Sequence, residues 1–342
     1  MLTVVTVAYP LAPLGPDAVG GAEQVASSVE RALVAAGHRS IVIARADSTC
    51  AGRLVSLPVP ARPFDHATIC AAHEACRRAI AGVLARERVD VVHMHGTDFH
   101  YYAPEGGHTI ATLHRWPDWY PPAILNSSGQ RLTLQCVSEA QRRACPEPER
   151  MVVIPNGTNT DKWRPRRYKG DYALMLGRIC PEKGVHDGIE AATAAGISLR
   201  IAGRVFPYPL HCEYFDTQVR PRLNRRVRFV GSVTGLRKGD LLARARCVLF
   251  PSAVPETSSL VAMEALASGT PVVAFRSPAL AELIEDGRTG FLVDDLNGMA
   301  DALRQVRSLS PAACRAAALA RCRESQMTRG YLKLFERCAG AP

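Results

Sequence analysis

The 342-residue chain has no Cys-x-x-Cys pair, although it carries 11 cysteines, an odd number scattered along its length. That spacing excludes a zinc knuckle and gives no disulfide framework, so the thiols read as reduced and mostly as small core fillers. No apolar run approaches the ~20 residues that cross a bilayer. The apolar start at Met1–Pro10 lacks a basic flank and is too short for a signal peptide. Aromatic residues are sparse, at 6%. The basic patches at Arg142–Arg143, Arg164–Lys169 and Arg220–Arg228 lack the repeated aromatics of a single-strand-binding platform. The formal charge of +10 is compatible with nucleic acid, an anionic membrane surface or an anionic small substrate, and an arginine-rich composition accounts for it better than a nucleic-acid role does. What is present is ordinary: 47% apolar and 22% charged residues, enough for two globular domains of a soluble, cytoplasmic protein.

Apolar runs and helical periodicity alternate along the chain. Strands are expected at Leu2–Ala8, Ser40–Ala44, Val89–Met94, His108–Leu113, Leu132–Val137 and Met151–Ile154. Helices fall between them, from Ala22 to Gly37 and from Ile69 to Arg88. After a polar, basic stretch the alternation restarts. Strands are expected at Tyr172–Leu176, Ser198–Ala202, Val227–Val230 and Cys247–Phe250, then at Val272–Ala274 and Phe291–Val293. Helices are expected at Val185–Ala195, Glu213–Leu223 and Leu236–Arg244, then at Ala279–Glu285 and Met299–Val306. The tail from Pro311 to Cys338 is Ala/Arg-rich and helical in pattern. Unbroken apolar strands separated by helices imply parallel sheets covered on both faces. The fold class is α/β, with two doubly wound Rossmann-like domains. Their limits are placed at 1–157 and 172–320, with a linker at 158–171 and a C-terminal helix at 321–342 that packs back on the first domain.

The chain is organised around Pro251–Ala274, PSAVPETSSLVAMEALASGTPVVA. A loop containing Glu256 leads into a helix that carries Glu264. Ser258 or Ser259 supplies the N-terminal cap, Gly269 ends the helix and Pro271 prevents its continuation. A helix N-terminus reached by a loop presents unpaired N–H donors, which suit a phosphate. Glu264 lies on the apolar side, so its carboxylate needs hydroxyls or a cation. A capped surface helix with one solvated and one structural glutamate accounts for this stretch equally well. At Gly177–Arg178 a strand ends, and Lys183–Gly184 opens the next helix. Two cations five residues apart can clamp a diphosphate, and they can equally be a solvated basic loop. Gly20–Gly21 precedes the first helix without the spacing of a dinucleotide fingerprint.

GRICPEKG followed by ETSSLVAMEALASGTPVV resembles the retaining glycosyltransferases of family 4, which have the GT-B fold. GGAEQ, TLHR at Thr112–Arg115, VSE at Val137–Glu139 and IPNGTNTDKW at Ile154–Trp163 match in the same order, so the resemblance covers nearly the whole chain. It implies two domains facing a central cleft. By the resemblance, Arg178 and Lys183 bind the donor diphosphate beside Gly177 and stabilise the leaving group. Glu264 holds the ribose hydroxyls. Glu256 and His114 contact the donor sugar, and Gly20 and Gly21 approach the diphosphate from the other domain. Ser258, Ser259 and Leu260 complete the phosphate cradle, and Gly203, Gly231 and Val233 hold the base. The donor is a nucleotide diphosphate sugar, with UDP favoured. No cofactor or metal is expected. Many relatives carry a Gly-Phe-Gly-like run where this chain has Thr257–Ser258–Ser259, which leaves phosphate binding intact and opens the identity of the sugar.

The acceptor side is less clearly written. Phe99, Tyr101, Tyr102, Trp116, Trp119 and Tyr120 cluster near His100 and His114, either to stack on rings or to pack a loop. His93 and His95 lack a carboxylate third ligand and read as hydrogen-bonded or site-lining residues rather than a metal pair. A soluble glycoside or polyketide-like acceptor is favoured, with no nucleic acid and no integral membrane partner. The composition is similar to that of actinobacterial antibiotic glycosyltransferases of the avilamycin (orthosomycin) kind. A nucleotide-sugar 2-epimerase, a transferase acting on a lipid or cell-envelope acceptor, and a nucleotide-sugar-binding regulator are the alternatives.

Overall fold

The structure, a computed structural model, describes residues 1–61, 64–127, 131–166 and 168–340. Arg167, inside the expected linker, and Ala341 and Pro342, at the end of the expected C-terminal segment, lie outside them. The chain divides into two compact units. The first holds Met1–Asn156 and the chain from Glu324 onward; the second holds Gly157–Arg323.

In the first unit seven strands form one sheet. They are β1 (Thr3–Val7), β2 (Arg39–Arg45), β3 (Arg53–Leu57), β4 (Val91–Met94), β5 (Thr109–Leu113), β6 (Leu132–Cys136) and β7 (Val152–Val153). Their order is β3-β2-β1-β4-β5-β6-β7, and every pairing is parallel. Successive residues feed opposite faces. Val5, Val7, Ile41 and Ile43 join one core, whereas Ala8, Val42 and Ala44 pack with Ala26 of the first helix on the other. Burial on both faces is why these strands read as continuous apolar runs. β3 has no counterpart among the expected strands. It is an edge strand with only Leu57 fully buried, so its sequence, RLVSL, lacks a strong apolar pattern.

The second unit has six parallel strands in the order β10-β9-β8-β11-β12-β13. These are β8 (Tyr172–Arg178), β9 (Ser198–Arg204), β10 (Val227–Gly231), β11 (Cys247–Phe250), β12 (Val272–Phe275) and β13 (Gly290–Val293). Leu174, Val248 and Val272 point into one core, and Ala173, Leu249 and Val273 into the other. The segment expected as a helix at Glu213–Leu223 begins earlier, as an α-helix at Pro209–Tyr214. It then widens to a π-helical turn at Phe215–Val219 and tightens at Arg220–Arg222. Pro221 has no N–H to donate, so a regular helix cannot run through it.

One boundary differs from expectation for a physical reason. The stretch placed as a linker at 158–171 belongs to the second unit, because polar residues there have buried partners. The Trp163 ring is buried with Nε1 donating to Thr158 Oγ1 at 2.9 Å. Lys169 Nζ donates to Ala243 O, Ser268 O and Thr270 Oγ1, and burial lowers its pKa to about 8. The tail holds two helices, and the one expected at 321–342 is Glu324–Ala339. Pro311–Arg321 stays with the second unit and Glu324–Ala339 belongs to the first. The break falls at Cys322–Arg323, where Thr158 N donates to Cys322 O at 2.8 Å. All 11 cysteines are free and eight are buried. Among the described residues no helix is long and apolar enough to cross a membrane.

Arg315 ties the 158–171 stretch down. Its Nη1 lies 2.5 Å from Thr160 O, 2.8 Å from Trp163 O and 2.7 Å from Ala267 O. Arg315→Ala is expected to cost the second unit about 2–3 kcal/mol, read as a lower urea midpoint. Arg304→Ala, whose exposed guanidinium pairs with Asp301 and donates to Ala194 O, should change stability by less, no more than about 1 kcal/mol. Equal shifts for the two variants would contradict the anchoring role.

Candidate active site

The sheet of the second unit reverses its order between β8 and β11, and ligands in such folds bind beyond the carboxyl ends of the strands at that point. Two of the motifs singled out in the sequence lie there. β8 ends in Gly177–Arg178 and continues through a tight turn at Pro181–Lys183, while β11 leads into the loop carrying Glu256. The two segments touch. Gly184 has φ +57°, and a Cβ on it would lie 2.0 Å from Pro251 O, so only glycine fits. Beside it Ala253 N donates to Glu182 O at 2.9 Å.

That approach brings Lys183 Nζ to 2.5 Å from Glu256 Oε1, which also accepts from Ser252 Oγ at 3.0 Å. Lys183, which the family resemblance assigns to the donor diphosphate, is paired here with Glu256. Among the described residues no carboxylate forms an ion pair with Arg178, which is half-buried at the strand end. The helix after Glu256 runs from Leu260 to Ala267, and Ser259 caps it by accepting from Ala262 N at 3.3 Å. Ser258 is half-buried one residue before the cap. Gly269 follows in the left-handed conformation at φ +64°.

Glu264 is 1% exposed. Its partner is Lys238, with Nζ 2.7 Å from Oε1 and 2.6 Å from Oε2. Only the first contact has hydrogen-bond geometry, so Oε2 is a buried acceptor with capacity to spare. Burial raises the Glu264 carboxyl above its usual range, and the Lys238 charge opposes that rise. Lys238 also lies over the Trp163 ring, 5.1 Å from its centroid. Nothing in the spacing of the sequence pointed to Lys238. Gly203 pairs with Gly177 across β9 and β8, Gly231 ends β10, and Val233 is buried just beyond it.

The first unit holds the remaining expected residues. Gly20 precedes the helix Gly21–Ala35, and the Glu23 carboxylate folds against it so closely that a Cβ would lie 1.8 Å from Glu23 Oε2. A carboxylate therefore already occupies part of the positive end of this helix. Ala8, Tyr9, Ala22, Glu23, Ala26 and His95 line a small pocket there. His114 is the end of a chain of imidazoles. His95 Nδ1 lies 3.0 Å from His114 Nε2, His95 Nε2 lies 3.2 Å from His93 Nδ1, and His93 Nε2 lies 2.9 Å from Thr112 Oγ1. Tyr331, from the C-terminal helix, closes the chain with its hydroxyl donating to Gln135 Oε1 at 2.6 Å and 3.3 Å from Thr112 Oγ1. Desolvation holds His93 and His114 down to about 3, so these rings are neutral at neutral pH. Gln141 fixes the loop that carries His114, donating to Leu113 O and Arg115 O and accepting from Val137 N. The Ser-x-x-Gln pattern at Ser138–Gln141, a capping-box signature, was the signal for it. Of the aromatic cluster, Phe99, Tyr102 and Tyr120 are core residues, whereas Tyr101 and Trp119 are each 57% exposed.

Residues 19–162 match the family model of Glycosyltransferase Family 4, and residues 170–308 match that of Glycosyl transferases group 1. AviGT4, a glycosyltransferase involved in avilamycin A biosynthesis, is similar with a TM-score of 0.72 and 25% identity, over 100% of this chain and 99% of that one. The fold is GT-B. Glycogen synthase of Mycobacterium tuberculosis is 36% identical over 184 residues, which are 50% of this chain and 43% of that enzyme. The GT-B chain described here thus spans less than half the length of that curated relative. HepE of Anabaena in complex with UDP-glucose shares the fold, with a TM-score of 0.75 at 17% identity over 98% of this chain and all of that one.

Lys238→Ala strips Glu264 of its counter-charge, at an expected cost of about 3 kcal/mol at neutral pH. A carboxyl whose pKa is raised by folding favours the folded state below its unfolded pKa, and that advantage is lost as pH rises through the folded value. The variant's melting temperature should therefore fall more steeply than wild type between roughly pH 4 and pH 8. Parallel melting curves for the two proteins would sink this account.

Proposed function

We propose that this chain is a retaining glycosyltransferase that moves a sugar from a UDP-sugar to a hydroxyl of a soluble glycoside or polyketide-like acceptor, in antibiotic or other secondary-metabolite biosynthesis. The observation that carries the reading is the grouping at the β8–β11 switch point. Lys183, Glu256 and the capped helix start at Leu260 stand together there, and Glu264 offers a buried acceptor on the same helix. The two glycosyltransferase family matches add to it, as does the likeness to AviGT4. The preference for UDP rests on HepE, which was solved with UDP-glucose.

In this reading the diphosphate lies against the N-terminal turn of the helix Leu260–Ala267, with Arg178 and Lys183 as its cations. Breaking the sugar–phosphate bond leaves an anionic diphosphate and an oxocarbenium-like sugar. Fixed donors and cations aimed at the developing charge stabilise it without reorganising, each contributing about 3 kcal/mol. Glu256 then has two roles. It accepts from the donor sugar's hydroxyls, and it holds Lys183 in place until the phosphate arrives. The spare acceptor of Glu264 takes the ribose hydroxyls, and Gly203, Gly231 and Val233 line the base. Retention follows if the acceptor attacks from the face that the diphosphate leaves, with a donor phosphate oxygen taking the acceptor's proton; no metal takes part. His114, Gly20 and Gly21 enter through their motif matches, His114 as a neutral hydrogen-bonding group towards the sugar. The exposed Tyr101 and Trp119 are the surfaces offered to an acceptor ring.

Calorimetric titration with UDP, dTDP and GDP, without added metal, tests the donor site. UDP is expected to bind wild type, and Lys183→Ala and Glu264→Gln should each weaken it more than tenfold, or about 1.4 kcal/mol. Binding of none of the three nucleotides, or unchanged affinity in both variants, would overturn the reading.

A further inference from the structure

The turn after β8 carries a second group of side chains that nucleotide-sugar binding does not use. Cys180 and Glu182 flank Pro181 in that turn, and His211 comes from the helix Pro209–Tyr214. The Cys180 sulfur, a Glu182 carboxylate oxygen and a His211 ring nitrogen all lie within 4.8 Å of one another. Cys180 is 0% exposed and His211 is 7% exposed. Two buried atoms of the group have no hydrogen-bond partner, Glu182 Oε2 and His211 Nδ1. A buried polar atom without a partner is destabilising, and this small cluster holds two of them.

A cation supplies that account. Sulfur, nitrogen and a single carboxylate oxygen form a donor set for a borderline ion such as Zn²⁺, not for Ca²⁺ or Mg²⁺, which take oxygen ligands. Such an ion binds neutral imidazole, thiolate and carboxylate, so loading the site releases the Cys180 thiol proton. Arg178 and Lys183 are the opposing charges, and a thiolate with a carboxylate offsets them.

We propose that Cys180, Glu182 and His211 form a zinc-class metal site with three protein ligands and an open fourth position, which fixes the turn that carries Lys183. The main chain couples the two directly, since Lys183 N donates to Cys180 O at 3.1 Å. This inference is independent of the glycosyl-transfer reading, because it concerns the ion alone.

The test is cobalt and zinc titration of the full chain after chelator treatment. Wild type should bind one Co²⁺ with a thiolate-to-cobalt absorption band, and Zn²⁺ should displace it and raise the melting temperature. Cys180→Ser should abolish the band, and His211→Gln should weaken Zn²⁺ at least tenfold, with circular dichroism confirming that each variant is folded. If Cys180→Ser does not fold, the tenfold loss in His211→Gln decides the matter. Absence of the band in wild type, its persistence in folded Cys180→Ser, or unchanged zinc affinity in His211→Gln would overturn the proposal.

Discussion

A side chain at position 184 would collide with the main chain at Pro251, and much of the candidate site depends on its absence. Because Gly184 is bare, the turn after β8 can lie against the loop after β11. The backbone contact from Ala253 to Glu182 and the ion pair from Lys183 to Glu256 follow from that approach. Strand order sets this up. β8 and β11 are neighbours across the point where the sheet reverses, so their outgoing loops emerge side by side at the place where such folds bind ligands.

Charge is handled differently in the two units. In the second unit it is buried in pairs, and Glu264 is tolerated in an apolar helix because Lys238 reaches it. A buried pair of this kind contributes little net stability but is costly to break, which suits a carboxylate that must stay oriented. In the first unit buried Glu30 is held by hydroxyl and backbone donors, and a chain of three histidines carries no charge. His93, His95 and His114 pass hydrogen bonds from ring to ring while burial keeps them neutral. Tyr331 and Gln135 set the far end of that chain, so the helix Glu324–Ala339 helps to orient His93 through Thr112.

The elements most legible in the sequence are those buried on both faces. β1, β2 and β11 read as unbroken apolar runs, and the helix Leu260–Ala267 carried its own start and stop in Ser259 and Gly269. The edge strand β3 was invisible because half of it faces solvent, and the 158–171 stretch looked like a linker because polar residues with buried partners resemble polar residues without them.

Local order was therefore determined by the sequence itself: helix caps, glycine positions and strand burial act within a few residues, and each leaves a trace in composition or period. The partners of the charged residues were decided only by tertiary structure. Lys183 and Glu256 are 73 positions apart, Lys238 and Glu264 are 26 apart, and Thr112 and Tyr331 are 219 apart. No periodicity spans such intervals. Which cation meets which carboxylate follows from strand order and helix packing, and an ion pair has no sequence signature until the fold brings its two halves within a few ångströms.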